Sequence, residues 1–268
     1  MIDKSEKFRW LVRLGYFSRA MMYSVLGLIA LTSAGKVGEG TNGIFMAIED
    51  FPLGEVILWL MVFGLLGYAL FRFASTFFDI ENHGSDAMGW GERIGHAGSA
   101  IGHLALAWSA FKFAGENSDD AQSGGGAQEA AAGVLSMDFG GFILGVLGIA
   151  FFIAAFNQAK KSYTSSFMNR IAANAPDHTR LLGQIGFAAR AVVFVIIGWS
   201  LFKAGFMSAG SEQVKTLGEA VASLAGEGLV FQLVALGLLI FGLFSLILAR
   251  YRIIPDLGSN GKIPAFRA

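Results

Sequence analysis

Cysteine is absent from the 268 residues, which excludes disulfides, thiol catalysis and thiolate-held iron–sulfur clusters. Proline is scarce. Pro52, Pro176, Pro255 and Pro264 all lie outside the long apolar runs, and an interior proline would remove a backbone donor and clash with the preceding turn, so helices through those runs are uninterrupted. Charge is also low, at 15% against 54% hydrophobic with a mean hydropathy of +0.57. That balance is too apolar for an ordinary globular domain of this length. Catalytic signatures are missing too: there is no H-E-x-x-H, no G-x-S-x-G and no P-loop. Gly38, Gly40 and Gly43 match G-x-G-x-x-G, but no strand precedes them and no βαβ unit surrounds them, which argues against nucleotide binding.

What the chain does have is a long self-repeat. Gly15, Arg19 and Gly27 recur at the same offsets as Gly186, Arg190 and Gly198. A fainter middle copy opens at Gly95, with Ser99 in the arginine place and Ala107 in the second glycine place. It runs on from Trp108 to Lys112, mirroring Trp199 to Lys203. Internal repetition fixes architecture before any local reading does. Six apolar stretches, near 15–34, 54–77, 95–114, 139–159, 183–206 and 229–250, are each long enough to span, since about 20 residues cross roughly 30 Å of hydrocarbon. Continuous runs of this kind are not barrel strands. Each copy is therefore one helix hairpin, and an even number of spans per copy makes the three copies parallel about a pseudo-threefold axis along the membrane normal. The expected fold is an all-α, polytopic membrane protein of six transmembrane helices. Its three parallel helix-hairpin repeats occupy 15–79, 94–160 and 183–252, between a cytoplasmic N-terminus, 1–14, and a cytoplasmic tail, 253–268.

Basic residues set the orientation. The side holding both termini carries 16 of the 20 lysines and arginines but 8 of the 20 acids, so both termini are expected in the cytoplasm. This asymmetry suits anionic lipids at the inner face and gives no support to nucleic acid as a partner. The first apolar run also fits a cleaved signal peptide, ending Thr32, Ser33, Ala34. Its counterpart at 183–206 is an internal span, so the first run is read as retained. Short amphipathic stretches at 43–52, 128–137 and 216–224 predict an interfacial helix in the outer connection of each copy, and 118–126 reads as a flexible acidic loop. Two small-residue stripes, Gly95, Gly98, Gly102 and Ala105, then Gly141, Gly145 and Gly148, predict close helix packing.

A few polar residues within or near the spans are candidates for function. Arg19 and Arg190 are expected near the inner headgroup boundary, either snorkelling to phosphate or turned toward the bundle axis. Arg72 shares a helix face with Asp79, which suggests a solvent-exposed pair of little energetic weight. Copy two places His96 and His103 where the other copies carry aromatics. Seven residues put the two rings on one face about 10.5 Å apart, too far to share one metal or haem iron. Their open readings are neutral imidazoles bonded across helices, or a proton relay or quinone contact. Asp79, Glu81, His83 and Asp86 lie together in one inner loop, which reads as a solvated loop because nothing in the sequence fixes a ligand geometry. No metal and no cofactor is expected.

The repeated Gly-x-x-x-Arg-Ala-x-x-aromatic-x-x-x-Gly string, followed by Phe51, Pro52, Leu53 and Gly54, resembles a bacterial membrane family called domain of unknown function 1206. The resemblance covers 10–252 and implies a pair of transmembrane helices present three times, in a bacterial inner membrane. Copy two departs from it at Ser99 and Ala107. The reading that follows is a non-enzymatic accessory, scaffold or lipid-interacting component, with the bilayer and a membrane-protein subunit as its partners. The alternative is a small-molecule or ion transporter or channel with an axial path between the repeats; a redox or proton-coupled enzyme using His96 or His103 comes third.

Overall fold

A computed structural model describes residues 4–32, 40–79, 81, 83–115 and 126–254. The segment 116–125, which holds most of the expected acidic loop, and the tail from 255 lie outside the described residues. Among them are nine α-helices: α1 (Lys4–Thr32), α2 (Gly40–Glu49), α3 (Gly54–Phe78), α4 (Ala87–Ala114), α5 (Gly126–Leu135), α6 (Gly140–Thr164), α7 (Thr179–Phe206), α8 (Leu217–Ala222) and α9 (Leu229–Tyr251). No strand occurs among the described residues; one isolated bridge joins Ile171 to Arg252.

Five of the long helices, α1, α3, α6, α7 and α9, are long and apolar enough to cross a membrane. The sixth expected span falls in α4. At 28 residues that helix is about 42 Å long, but it is not among the five. Its sequence carries Glu92, Arg93, His96, His103 and four glycines from Gly91 to Gly102, which dilute its apolar content. The three helices that open the copies also begin before the expected span edges, at Lys4, Ala87 and Thr179. Arg19 and Arg190 consequently sit mid-helix, although the apolar part of α1 opens only at Val12.

The long helices pack in the order α4, α3, α1, α9, α7, α6. Copies one and three meet centrally through α1 and α9, whereas the two helices of copy two stand at opposite ends of the row. No comparable contact joins α4 to α6, so the row does not close into a ring.

Glycine explains the close approaches. The signature glycines of copies one and three lie at helix crossings: a Cβ on Gly15 would stand 2.7 Å from the Gly64 carbonyl oxygen, and one on Gly27 would stand 2.6 Å from the Leu239 nitrogen. On the α6–α7 crossing, Gly141 and Gly145 abut Gly205, and Gly148 abuts Gly198, as the stripe on α6 predicts. The α4 stripe is different. Positions 91, 95, 98 and 102 have nothing within 4 Å of where a Cβ would be. The expected packing role fails there because α4 is an end helix and these glycines face away from α3.

Short helices occupy the connection within each copy: α2, α5 and α8. Helix α8 opens with a capping box, in which the Thr216 hydroxyl accepts from the Glu219 N–H and the Glu219 carboxylate accepts from the Thr216 N–H. Gln128 of α5 donates to the same Glu219 at 2.7 Å and to the Val214 carbonyl at 2.9 Å. Copies two and three are thus linked on this side.

Gly205→Ala would place a methyl 2.2 Å from the Gly145 nitrogen, and should lower stability by about 1–3 kcal/mol or more. Gly98→Ala meets open space, and should be neutral or raise stability by about 0.5–1 kcal/mol through helix propensity. Reversible unfolding in mixed micelles compares the two; equal effects would contradict the packing described.

Candidate functional site: a caged carboxylate and an aromatic box holding two arginines

The loop after α3 is folded by its own acids. Asp79 caps α3 in the left-handed region at φ 48, and its carboxylate accepts the His83 and Gly84 N–H groups at 2.8 Å each. Gly84 follows at φ +86, a conformation open to glycine because it has no Cβ. Asp86 then caps α4 by accepting the Gly89 N–H at 2.8 Å. These turns direct Glu81 inward, and its side chain is 2% exposed.

Three guanidiniums meet that carboxylate. Arg170 and Arg252 donate to its Oε1 at 2.5 and 2.7 Å, and Arg72 donates to Oε2 at 3.1 Å. His96 Nε2 stands 3.3 Å from Oε2 and His83 Nε2 3.7 Å. Backbone pairing places two of the cations: the Ala172 N–H donates to the Tyr251 carbonyl and the Ile253 N–H to the Arg170 carbonyl. This short antiparallel bridge sets Arg170 beside Arg252. Burial alone would raise the Glu81 pKa, but His83 and the three guanidiniums hold it well below the ordinary 4.5. Arg252 is shifted upward, because Tyr16 and Glu81 outweigh its burial.

Glu81 is therefore not solvated as the composition of its loop suggests, although Gly84, Ser85 and Asp86 are exposed. Arg72 does not pair with Asp79 as expected either; Asp79 is committed to the loop N–H groups, and Arg72 bonds Glu81 and the Tyr68 hydroxyl, at 2.7 and 3.1 Å. Glu81, His83 and His96 offer ligand atoms within 4.8 Å of one another, a spacing that one metal ion could bridge. The three arginines on the same carboxylate oppose a further cation, so the set is an ion-pair cage first.

Tyr68 leads from this cage to a second cluster. Its ring lies 5.2 Å from Tyr16 and 4.6 Å from His103. His103 Nδ1 is 2.6 Å from the Ser99 carbonyl; a carbonyl only accepts, so the proton is on Nδ1 and Nε2 presents a lone pair. By the same logic His96 carries its proton on Nε2, toward Glu81, and its buried Nδ1 has no partner. Arg19 donates to Ser245 at 3.1 Å and lies over Tyr16 at 4.7 Å and Phe241 at 5.0 Å. Arg190 lies over Phe241 at 4.6 Å, Phe194 at 4.8 Å and Tyr23 at 5.3 Å. Neither guanidinium reaches a helix end. The two candidate histidines separate between the clusters, His96 at the cage and His103 beside the aromatic box.

Sequence reasoning named Glu81 but read it as part of a solvated loop, and it did not single out Arg170, Arg252 or Tyr68. One signal was available: an acid in a short loop on the face that holds most of the chain's basic residues has cations on every side.

Apolar helices of membrane-crossing length, repeated in pairs around interior polar clusters, define a multi-pass helical membrane protein built from duplicated hairpins. The family described as Domain of Unknown Function (DUF1206) matches residues 14–79, 94–165 and 185–252, and the chain belongs to it. It is also similar to a protein of Bacillus subtilis (strain 168) named Uncharacterized protein YxxB, at 29% identity over 262 residues, covering 93% of this chain and 94% of that protein. No solved structure matches it significantly.

Glu81→Gln leaves three guanidiniums without their anion and should destabilise the protein by about 3–5 kcal/mol at neutral pH. Because the folded pKa is depressed, this contribution is full above the ordinary value of 4.5 and is lost as pH falls through the lower folded value. Unfolding of wild type and variant from pH 7 to pH 3 should show a gap that narrows in acid. A gap that stays constant, or is absent at pH 7, would contradict the cage.

Proposed function

We propose that the protein is a six-span, non-enzymatic component of a bacterial inner membrane, with both termini in the cytoplasm, that works by lateral association within the bilayer. The observation that carries this reading is the uncovered face of α4. Its glycines at 91, 95, 98 and 102 meet no neighbour, and Ile94, Ile101 and Trp108 are exposed beside them. Small-residue stripes let a second helix approach closely, which is the main source of helix association in lipid. A partner's transmembrane helix seated along the glycine face of α4 fits this surface. An axial channel has less support, because among the described residues no packing comparable to the other helix pairs joins α4 to α6.

The natural chain has no cysteine, so single cysteines give a clean test. Gly98→Cys in native membranes, treated with a short bis-maleimide, should yield a defined cross-linked species containing a second polypeptide. Leu246→Cys, on the exposed side of α9, should yield far less. Equal cross-linking at both positions, or none at Gly98→Cys, would remove the association reading.

A further inference from the structure

Arg19 and Arg190 stand apart from the other interior arginines. Arg72, Arg170 and Arg252 share Glu81, whereas no carboxylate is paired with Arg19 or Arg190 among the described residues. The Arg19 Nη2 and Arg190 Nε atoms are buried and have no hydrogen-bond partner. Arg19 has one neutral bond, to Ser245; Arg190 has ring contacts only. Both are half-buried over rings that are almost fully buried, with Tyr16 at 1%, Tyr23 at 7% and Phe241 at 0% exposure. Each guanidinium therefore holds an unsatisfied buried nitrogen beside these rings.

We propose that these two arginines form a binding site for a phosphate group. Each stands within 5.0 Å of the Phe241 centroid, so their Cζ atoms are at most about 10 Å apart, close enough for strong mutual repulsion at low dielectric. Ring faces offset part of the burial cost of each cation, and aromatic contact leaves the N–H donors unspent. An anion between them satisfies the donors and cancels the repulsion. Phosphate suits the geometry better than carboxylate, because the forks arrive from two helices, α1 and α7, and phosphate presents oxygens on several sides. The internal repeat explains the pair: the two arginines hold the same place in copies one and three. In copy two that place is Ser99, whose carbonyl engages His103. The repeat thus supplies two cations where three equivalent places exist, which suits an anion of low charge. The site is separate from the α4 face and does not rest on the association reading.

Two sources could supply the group, a lipid headgroup or a free anion, and the full-length protein in neutral detergent can distinguish them. Thermal unfolding would be followed with inorganic phosphate, with phosphatidylglycerol and with phosphatidylcholine, in wild type, Arg19→Gln, Arg190→Gln and Arg180→Gln. The last is a control whose guanidinium bonds Ser165 outside the site. Stabilisation by phosphatidylglycerol alone assigns a lipid headgroup; stabilisation by inorganic phosphate as well assigns a free anion. In either case Arg19→Gln and Arg190→Gln should each weaken the response about tenfold or more, and Arg180→Gln should not. Should either glutamine variant fail to fold, native mass spectrometry of gently delipidated wild type decides: one retained phosphate-bearing molecule per chain supports the site. No phosphate-bearing mass, no stabilisation by either anionic probe, or an unchanged response in the two variants would overturn it.

Discussion

One carboxylate ties the repeats together at the end of the bundle where α3 and α9 finish. Glu81 accepts from Arg72 at the end of α3, Arg170 in the loop after α6 and Arg252 at the end of α9. These groups come from distant parts of the chain and converge only when the helices have packed. A single buried anion among cations cannot be left alone: removing either side strands charge in a medium that solvates it poorly. The ion-pair cage therefore acts as a test of correct assembly, satisfied when all three connections are in place. Cations reinforce the same end of the bundle by bonding helix C-terminal carbonyls, where the helix dipole is negative. Arg93 donates to the Thr76 carbonyl at 2.7 Å, and Arg13 donates to the Ala249 carbonyl at 2.8 Å and to that of Arg250.

Along the helices the binding logic changes from charge to shape. Apolar surface gains little from burial against another helix when lipid is the alternative, so contact depends on glycine and on backbone approach. The crossings of α1 with α3, of α1 with α9, and of α6 with α7 all follow that pattern. Copy two departs from it, and the departure is local. Its first helix carries glycines that touch nothing, histidines in place of aromatics, and fewer apolar residues. Its second helix, α6, is the least buried of the five apolar long helices. Divergence within copy two therefore leaves the bundle open between α4 and α6, while copies one and three keep the packed centre.

Much of the architecture was legible because it is written in periodic features. The repeated glycines, the apolar runs and the position of the prolines identify the long helices, and the amphipathic stretch at 216–224 marks α8. Helix starts were less legible. Charged residues such as Lys4, Lys7 and Arg13 look like a flank, yet they continue α1. The α4 stripe misled for a related reason: periodicity shows that small residues share a face but does not say whether a neighbour covers it. The Glu81 cage was illegible because Glu81 and Arg252 lie 171 residues apart and the group comes together through loop turns made by Asp79 and Gly84. Local composition described that loop as polar, and polarity alone cannot distinguish a solvated acid from a caged one.

The central claim is that Glu81 couples the ends of separate repeats, and a double-mutant cycle measures that coupling directly. Stabilities of wild type, Glu81→Gln, Arg252→Gln and the double variant, from reversible unfolding at neutral pH, give the interaction energy between α9's end and the α3–α4 loop. A coupling of about 2 kcal/mol or more is expected for a shared buried network. Additive effects, with coupling near zero, would mean that the cage does not hold the repeats together.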